Sequence, residues 1–100
     1  MPRPRKRRRV TLLPRAWIYK PAGVPLESLR RVALLPEELE ALRLADLEQL
    51  TQEQAAGRMG VSRSTFQRIV AQAHRQVALA LTEGCALVVE ETMRSPYDFR

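Results

Sequence analysis

Residues 52–71 constrain the fold of this chain more than any other stretch. Apolar side chains recur at helical spacing on both sides of Gly60, and glycine adopts the positive φ of a tight turn without a Cβ penalty. Thr51 and Gln54 have the spacing of a capping box, and Ser62 is suited to cap a second helix. The stretch therefore predicts two helices joined by a tight turn at Gly60.

The predicted second helix carries apolar residues on one face and polar residues on the other. Arginine can pair with guanine, glutamine with adenine, and serine with base edges or phosphates. No acidic residue occurs between Val61 and Thr82, so this helix would not repel a phosphate backbone. In helix-turn-helix proteins the second helix enters the major groove. We therefore expect base readout by Arg63, Ser64, Gln67 and Arg68. Contacts to the DNA backbone are expected from Ser62, Thr65, Gln72 and Arg75. An ordinary corner between two helices is the alternative interpretation.

The N-terminal segment is strongly basic and contains two prolines. Like charges repel and proline disfavours helix, so we expect residues 1–9 to form a disordered arm. Beside a helix-turn-helix, such an arm can lie along phosphates or enter the minor groove. The formal net charge of +6 also favours polyanionic partners. The arm residues expected to contact the DNA backbone are Arg3, Arg5, Lys6, Arg7, Arg8 and Arg9. A solubilising tail and a nuclear localisation signal are the alternatives.

The rest of the chain predicts one domain over residues 10–90 and a frayed tail over residues 91–100. Short β-prone runs occupy residues 10–13, 17–19, 32–35 and 85–90. We expect the last of these to pair with one of the N-terminal strands. The predicted fold class is therefore mainly α, with a three-helix, helix-turn-helix core and short β-strands from the N- and C-terminal segments.

Two further helical predictions concern the core. Pro36 is placed to start a helix that ends near Glu48 or Gln49. Its core-facing residues are expected to be Leu39, Leu42, Leu44 and Leu47. The carboxylates between Glu37 and Gln54 are expected on a solvated face. The second motif helix is expected to reach Thr82 before a stop at Gly84, with an apolar stripe that includes Ala73, Val77, Ala80 and Leu81. Trp17 and Tyr19 are expected to close the small core.

The sequence offers little that catalysis requires. One histidine, one cysteine and scattered carboxylates supply no nucleophile–base pair and no metal cluster, so we expect no enzyme, no cofactor and no metal site. Cys85 is expected to be a buried thiol, and His74 to contact phosphate or solvent. No apolar run is long enough to span a bilayer, and no hydrophobic segment follows the basic N-terminus as a signal peptide would require, so we expect no membrane partner. A single cysteine cannot form an internal disulfide, which is consistent with a reducing cytosol and a cytoplasmic protein.

Four blocks of the sequence also carry a family resemblance. They read M-P-R-P-R-K-R-R-R-V, Y-K-P-A-G-V-P-L, E-E-L-E-A-L-R-L-A-D-L-E and A-A-G-R-M-G-V-S-R-S-T-F-Q-R-I-V. In this order they resemble the UPF0251 (DUF134) family of small prokaryotic proteins over residues 1–90. The resemblance implies a helix-turn-helix similar to region 4 of the housekeeping sigma factors, in a cytoplasmic DNA-binding protein. It implies no ligand, operator or catalytic residue.

Together, these observations favour a sequence-specific double-stranded DNA-binding protein that regulates transcription. Two other classes stay open. The basic arm and the positive charge would serve an RNA- or ribosome-associated protein equally well, and a sigma-like helix-turn-helix could dock on RNA polymerase. Apolar surface on the far half of the long helix and on residues 85–90 predicts a homodimer, which would double the number of base pairs read.

Overall fold

Three helices and three short strands account for most of residues 16–90, the part of the chain that the computed structural model describes. In chain order the elements are strand β1 (Ala16–Tyr19), strand β2 (Arg31–Leu34), helix α1 (Pro36–Leu42), a π-helical turn (Arg43–Leu47), helix α2 (Gln52–Met59), helix α3 (Arg63–Glu83) and strand β3 (Ala86–Glu90). A single 3-10 turn at Leu26–Ser28 lies between β1 and β2. The predicted basic arm, the β-prone run 10–13 and the tail 91–100 lie outside the described residues.

The three strands form one small sheet in the order β1-β3-β2. Strand β3 pairs antiparallel with β1 and parallel with β2, so the last element of the described chain is the central strand. On β2, burial alternates along the strand, and Val32 and Leu34 are buried while Arg31 and Ala33 are exposed. The mainly helical fold class with strands from both terminal segments is confirmed, as is the pairing of the C-terminal strand.

Small side chains at the helix crossings allow the three helices to approach closely. One apolar cluster joins α1, the π-helical turn, α2 and the first half of α3 through Ala41, Leu44, Ala55, Ala56, Phe66 and Ile69. The second half of α3 packs on the sheet, where Ala73 and Ala80 meet β2 and β3. Helix α3 has 21 residues, or about 31 Å of length, and it connects the helical cluster to the sheet.

The expectations for the first helix need two corrections. Leu47 is 77% exposed and does not face the core. Glu48 N–H donates to the carbonyl of Arg43, five residues earlier, at 2.9 Å, which is the hydrogen bond of a π-helix. Each residue of a π-helix advances less around the axis than in an α-helix, so Leu47 no longer lies on the face that meets the core. Glu38 is buried rather than solvated, because its Oε1 accepts a hydrogen bond from Leu35 N–H at 2.9 Å and so caps the helix start.

The apolar stripe of α3 also ends earlier than predicted. Ala73 and Ala80 are buried, but Leu81 is 77% exposed, because it follows Ala80 directly and so points away from the buried face by about 100° of helical rotation. Trp17 and Tyr19 do not close the core either, since both are exposed on the edge strand β1. Cys85 is a buried free thiol, which confirms the expectation for that residue.

Candidate nucleic-acid interface

The start of α2 is fixed by a reciprocal pair of hydrogen bonds. Thr51 N–H donates to Gln54 Oε1 at 3.0 Å, and Gln54 N–H donates to Thr51 Oγ1 at 3.1 Å. These two bonds satisfy backbone donors that a helix start would otherwise leave without partners. The capping box predicted from the sequence is confirmed, and it holds Gln52, the first residue of the helix, in a defined place.

The turn between α2 and α3 follows the predicted geometry. Gly60 has φ 70° and ψ 32°, a left-handed conformation that favours glycine. Val61 N–H then donates to the Ala56 carbonyl at 3.0 Å, and the Val61 side chain packs against the helical cluster. Ser62 caps α3 by accepting from Thr65 N–H at 3.1 Å. The turn therefore sets the direction of α3 from its first residue.

The N-terminal half of α3 presents a polar surface on the side away from its buried residues. Phe66 and Ile69 are buried, and all four residues expected to read bases are exposed: Arg63, Ser64, Gln67 and Arg68. Arg63 and Gln67 lie four residues apart, and Ser64 and Arg68 repeat that spacing, so each pair shares a helix face. The structure thus brings the four predicted side chains together on one exposed surface.

The residues expected to contact the DNA backbone are arranged less uniformly. Gln72 and Arg75 are exposed further along α3, and Ser62 is exposed at its start. Thr65 is half-buried, and its hydroxyl accepts a hydrogen bond from the Ser62 hydroxyl at 2.9 Å. Because Ser62 and Thr65 are joined in the helix cap, their hydroxyls already have partners within the chain. The six basic arm residues lie outside the described residues.

Sequence reasoning missed Gln52, which contacts two of the candidate base-reading side chains. Gln67 Nε2 donates to Gln52 Oε1 at 2.7 Å, and Arg63 Nε donates to the same oxygen at 3.4 Å. The only signal in the sequence was a polar residue at the first position of α2. The contact itself depends on the angle between α2 and α3, which the sequence pattern does not give.

Acidic and basic groups on and next to the π-helical turn are paired with one another. Arg43 Nη2 lies 2.7 Å from Glu40 Oε2, and Arg43 also contacts Glu48. The hydrogen bond and charge of Glu40, together with Glu48, raise the pKa of the Arg43 guanidinium above its ordinary value. Arg58, at the end of α2, lies 4.0 Å from Glu48. Glu40 and Glu48 therefore act mainly on the neighbouring cations Arg43 and Arg58.

His74 has a different environment from the one expected. Its Nε2 lies 2.8 Å from Asp46 Oδ2, so it joins α3 to the π-helical turn rather than contacting solvent alone. The two residues are 28 positions apart, and no local pattern could have paired them. Within residues 16–90 no group of three or more histidine, cysteine or acidic side chains is placed to hold a metal ion. None of the helices described is long and apolar enough to cross a bilayer.

Known proteins from several bacteria are similar to this chain over most of its length. A UPF0251 protein of Desulforudis audaxviator is 56% identical over 90 residues, which is 90% of this chain and 59% of the relative. One from Vibrio vulnificus is 53% identical over 89 residues, which is 89% of both chains. One from Pelotomaculum thermopropionicum is 53% identical over 87 residues, which is 87% of this chain and 66% of the relative.

The chain therefore spans about three-fifths of the Desulforudis relative and nearly all of the Vibrio one. No solved structure matches it. The model of the family described as "Protein of unknown function DUF134" matches residues 1–94, and with the relatives above it shows that the chain belongs to the DUF134 (UPF0251) family.

Proposed function

We propose that this protein binds double-stranded DNA in a sequence-specific way and regulates transcription. The observation that carries the proposal is the exposed surface of Arg63, Ser64, Gln67 and Arg68 at the start of α3. It lies directly after a tight turn and on the side of the helix away from the core. This is the arrangement in which a helix-turn-helix presents side chains to the major groove.

The proposed complex assigns a separate role to each part of the surface. The four exposed side chains at the start of α3 contact base edges, and arginine and glutamine there supply the donors that guanine and adenine accept. Gln72 and Arg75 contact phosphates further along the helix, together with the cap residues Ser62 and Thr65. The arm residues 2–9 add phosphate contacts whose contribution depends on salt concentration.

The distribution of charge supports this orientation. The sequence has no acidic residue from Val61 to Thr82. Asp46 on the π-helical turn pairs with His74, and Glu48, directly after that turn, pairs with arginines. The exposed residues of α3 near its start are therefore cationic or neutral, which suits a polyanion. The family matches are to bacterial proteins, and a bacterial DNA-binding protein would act in the cytoplasm.

The proposal extends to two protein partners. Leu81 is 77% exposed on the far half of α3, and apolar surface of this kind suits contact with a second copy of the chain. A homodimer would read two half-sites about 34–36 Å apart. RNA polymerase is the other proposed protein partner. No catalytic step is part of the proposed function.

Selection of bound duplexes from a random pool tests the proposal most directly. The expected result is one enriched sequence motif that includes a guanine, bound more tightly than random duplex at the same salt concentration. Competition with structured RNA should leave the complex with the enriched duplex in place. Failure to enrich any motif, or displacement by RNA at equal concentration, would reject sequence-specific DNA binding in favour of an RNA-associated role.

Arg63 and Arg58 form a matched pair for locating the reading surface. Arg63 is at the first turn of α3, and Arg58 is at the last turn of α2 beside Glu48. Arg63→Ala should weaken binding to the enriched duplex by about 1–3 kcal/mol, the value of one bidentate base contact, and change binding to random duplex much less. Arg58→Ala should change both affinities by similar factors. Equal losses on both duplexes for Arg63→Ala would mean that Arg63 contacts only phosphate.

A further inference from the structure

Gln52 places one acceptor oxygen between two side chains of the neighbouring helix. Its Oε1 accepts from Gln67 Nε2 at 2.7 Å and from Arg63 Nε at 3.4 Å. A carbonyl oxygen has two lone pairs, so these two bonds use its acceptor capacity. All three side chains are exposed, and the contact lies on the surface rather than in the core. It joins the first residue of α2 to the first and fifth residues of α3.

The backbone on both sides of this contact is held in place. Thr51 and Gln54 fix the start of α2 by their capping box, and Ser62 caps α3. The two helices are joined by buried contacts that include Ala56 and Phe66. The oxygen of Gln52 therefore has a defined position relative to α3, and long side chains that bond to it lose part of their rotamer freedom before any ligand binds.

The atoms left over on Arg63 and Gln67 are those that read purines. With Nε directed to Gln52, the Nη1 and Nη2 groups of Arg63 remain to donate to guanine O6 and N7. With one Nε2 hydrogen directed to Gln52, Gln67 keeps its other Nε2 hydrogen and its Oε1, the donor and acceptor that adenine N7 and N6 require. The shared oxygen orients both side chains without occupying their base-reading atoms.

From this geometry, and resting on the DNA-binding function proposed above, we propose that Gln52 is a positioning residue that couples Arg63 and Gln67 into one reading unit. It holds the two side chains in mutually compatible rotamers, so the guanine and the adenine that they read are recognised together rather than independently. Gln52 itself sets the preference for this pair of bases through Arg63 and Gln67 and makes no base contact of its own.

Titrations with the enriched duplex and with random duplex measure this role. Gln52→Ala should lower the preference for the enriched duplex about ten-fold, while affinity for random duplex changes less than about two-fold. Gln52→Glu keeps an acceptor oxygen, so it should keep the preference while weakening both complexes, because the new charge repels phosphate. Gln72→Ala is the matched control, since it removes the same amide from a proposed phosphate contact and should weaken both complexes alike.

A double-mutant cycle separates positioning from direct readout by Gln52. If Gln52 acts through Gln67, the loss of preference in the double variant with Gln52→Ala and Gln67→Ala should be clearly smaller than the product of the two single losses. Multiplicative losses would mean that Gln52 reads DNA by itself or has no connection with Gln67, and either result would overturn the proposal. So would a loss of preference in Gln52→Glu as large as that in Gln52→Ala.

A measurement without DNA keeps the test independent of the proposed function. In the free protein, the Gln67 side-chain amide should be more ordered on the picosecond–nanosecond timescale than that of Gln72, as measured by NMR relaxation of the side-chain NH₂ group. Gln52→Ala should abolish the difference, and Gln52→Glu should preserve it. Equal order in the free wild-type protein would refute the positioning role. If the Gln67 amide is ordered but no duplex is enriched, the DNA-binding function is rejected and the positioning of Gln67 by Gln52 is supported.

Discussion

Replacing Gly60 with alanine tests the turn on which the proposed interface depends. Gly60 has φ 70°, and a Cβ added to it would meet no atom within 4 Å. The substitution therefore introduces backbone strain without a steric clash. A residue with a Cβ in the left-handed region costs about 1–2 kcal/mol, and alanine recovers roughly 0.4–1 kcal/mol by restricting the unfolded chain. The middles of these two ranges differ by about 0.8 kcal/mol, and we expect a net loss of that size in the free energy of unfolding.

Gly57 provides a matched control three residues earlier. It lies inside α2, its φ is not positive, and a Cβ there would also meet no atom within 4 Å. Gly57→Ala should therefore stabilise the protein by about 0.5–1 kcal/mol, the usual difference between glycine and alanine in a helix. The same chemical change at two nearby positions should then have opposite signs, because only one of them requires positive φ.

Thermal and urea unfolding followed by far-ultraviolet circular dichroism can resolve these changes. For a domain of this size, 1 kcal/mol corresponds to a shift of about 4–8 °C in Tm, so the two variants should lie on opposite sides of the wild type. Gly60→Asn should lie between Gly60→Ala and the wild type, since asparagine tolerates the left-handed region better. If Gly60→Ala were as stable as Gly57→Ala, the left-handed turn described for residue 60 would be incorrect.

Three further predictions concern the helix start, the arm and the assembly. Glu38→Ala should lower the free energy of unfolding by about 1 kcal/mol, because the Leu35 N–H loses its hydrogen bond, whereas Glu37→Ala should change it little. Equal effects of the two substitutions in urea unfolding would contradict the capping role of Glu38. Deleting residues 2–9 should reduce the salt dependence of DNA binding. The slope of the log binding constant against the log salt concentration should become less steep by roughly 0.9 for each phosphate that the arm no longer neutralises. An unchanged slope would argue against phosphate binding by the arm. Leu81→Glu should convert a dimer to monomers in sedimentation equilibrium while leaving the far-ultraviolet circular dichroism spectrum of the folded chain unchanged. A wild-type protein that is already monomeric at micromolar concentration would refute the dimer.

The features that sequence predicted well are those decided within a few residues. The capping box at Thr51, the left-handed Gly60 and the cap at Ser62 each involve a side chain or backbone group no more than four positions away. The buried face of α3 near Phe66 and Ile69 follows from helical periodicity. These local rules sufficed to place the four exposed side chains of the candidate interface on one helix face.

The features that sequence missed depend on longer distances or on a change of helix type. The π-helical turn rotates Leu47 away from the core, and a pattern read with a constant helical period cannot detect that change. The partner of His74 lies 28 residues away, and the two partners of Gln52 lie 11 and 15 residues away. The packing of separate elements brings them near. The many carboxylates near Glu38 in the sequence predicted a solvated face, and nothing in that pattern distinguished Glu38 as the one that caps the helix.

The central position of β3 has a consequence for the order in which the protein can fold. Within residues 16–90, β1 and β2 each pair with β3 and not with each other, so neither can find its sheet partner until the chain has been synthesised beyond residue 86. The contacts among α1, α2 and the first half of α3 involve residues closer together in sequence and can form earlier on the ribosome. A chain released before β3 would keep the segment proposed to read DNA but leave two unpaired strand edges, which are prone to aggregate.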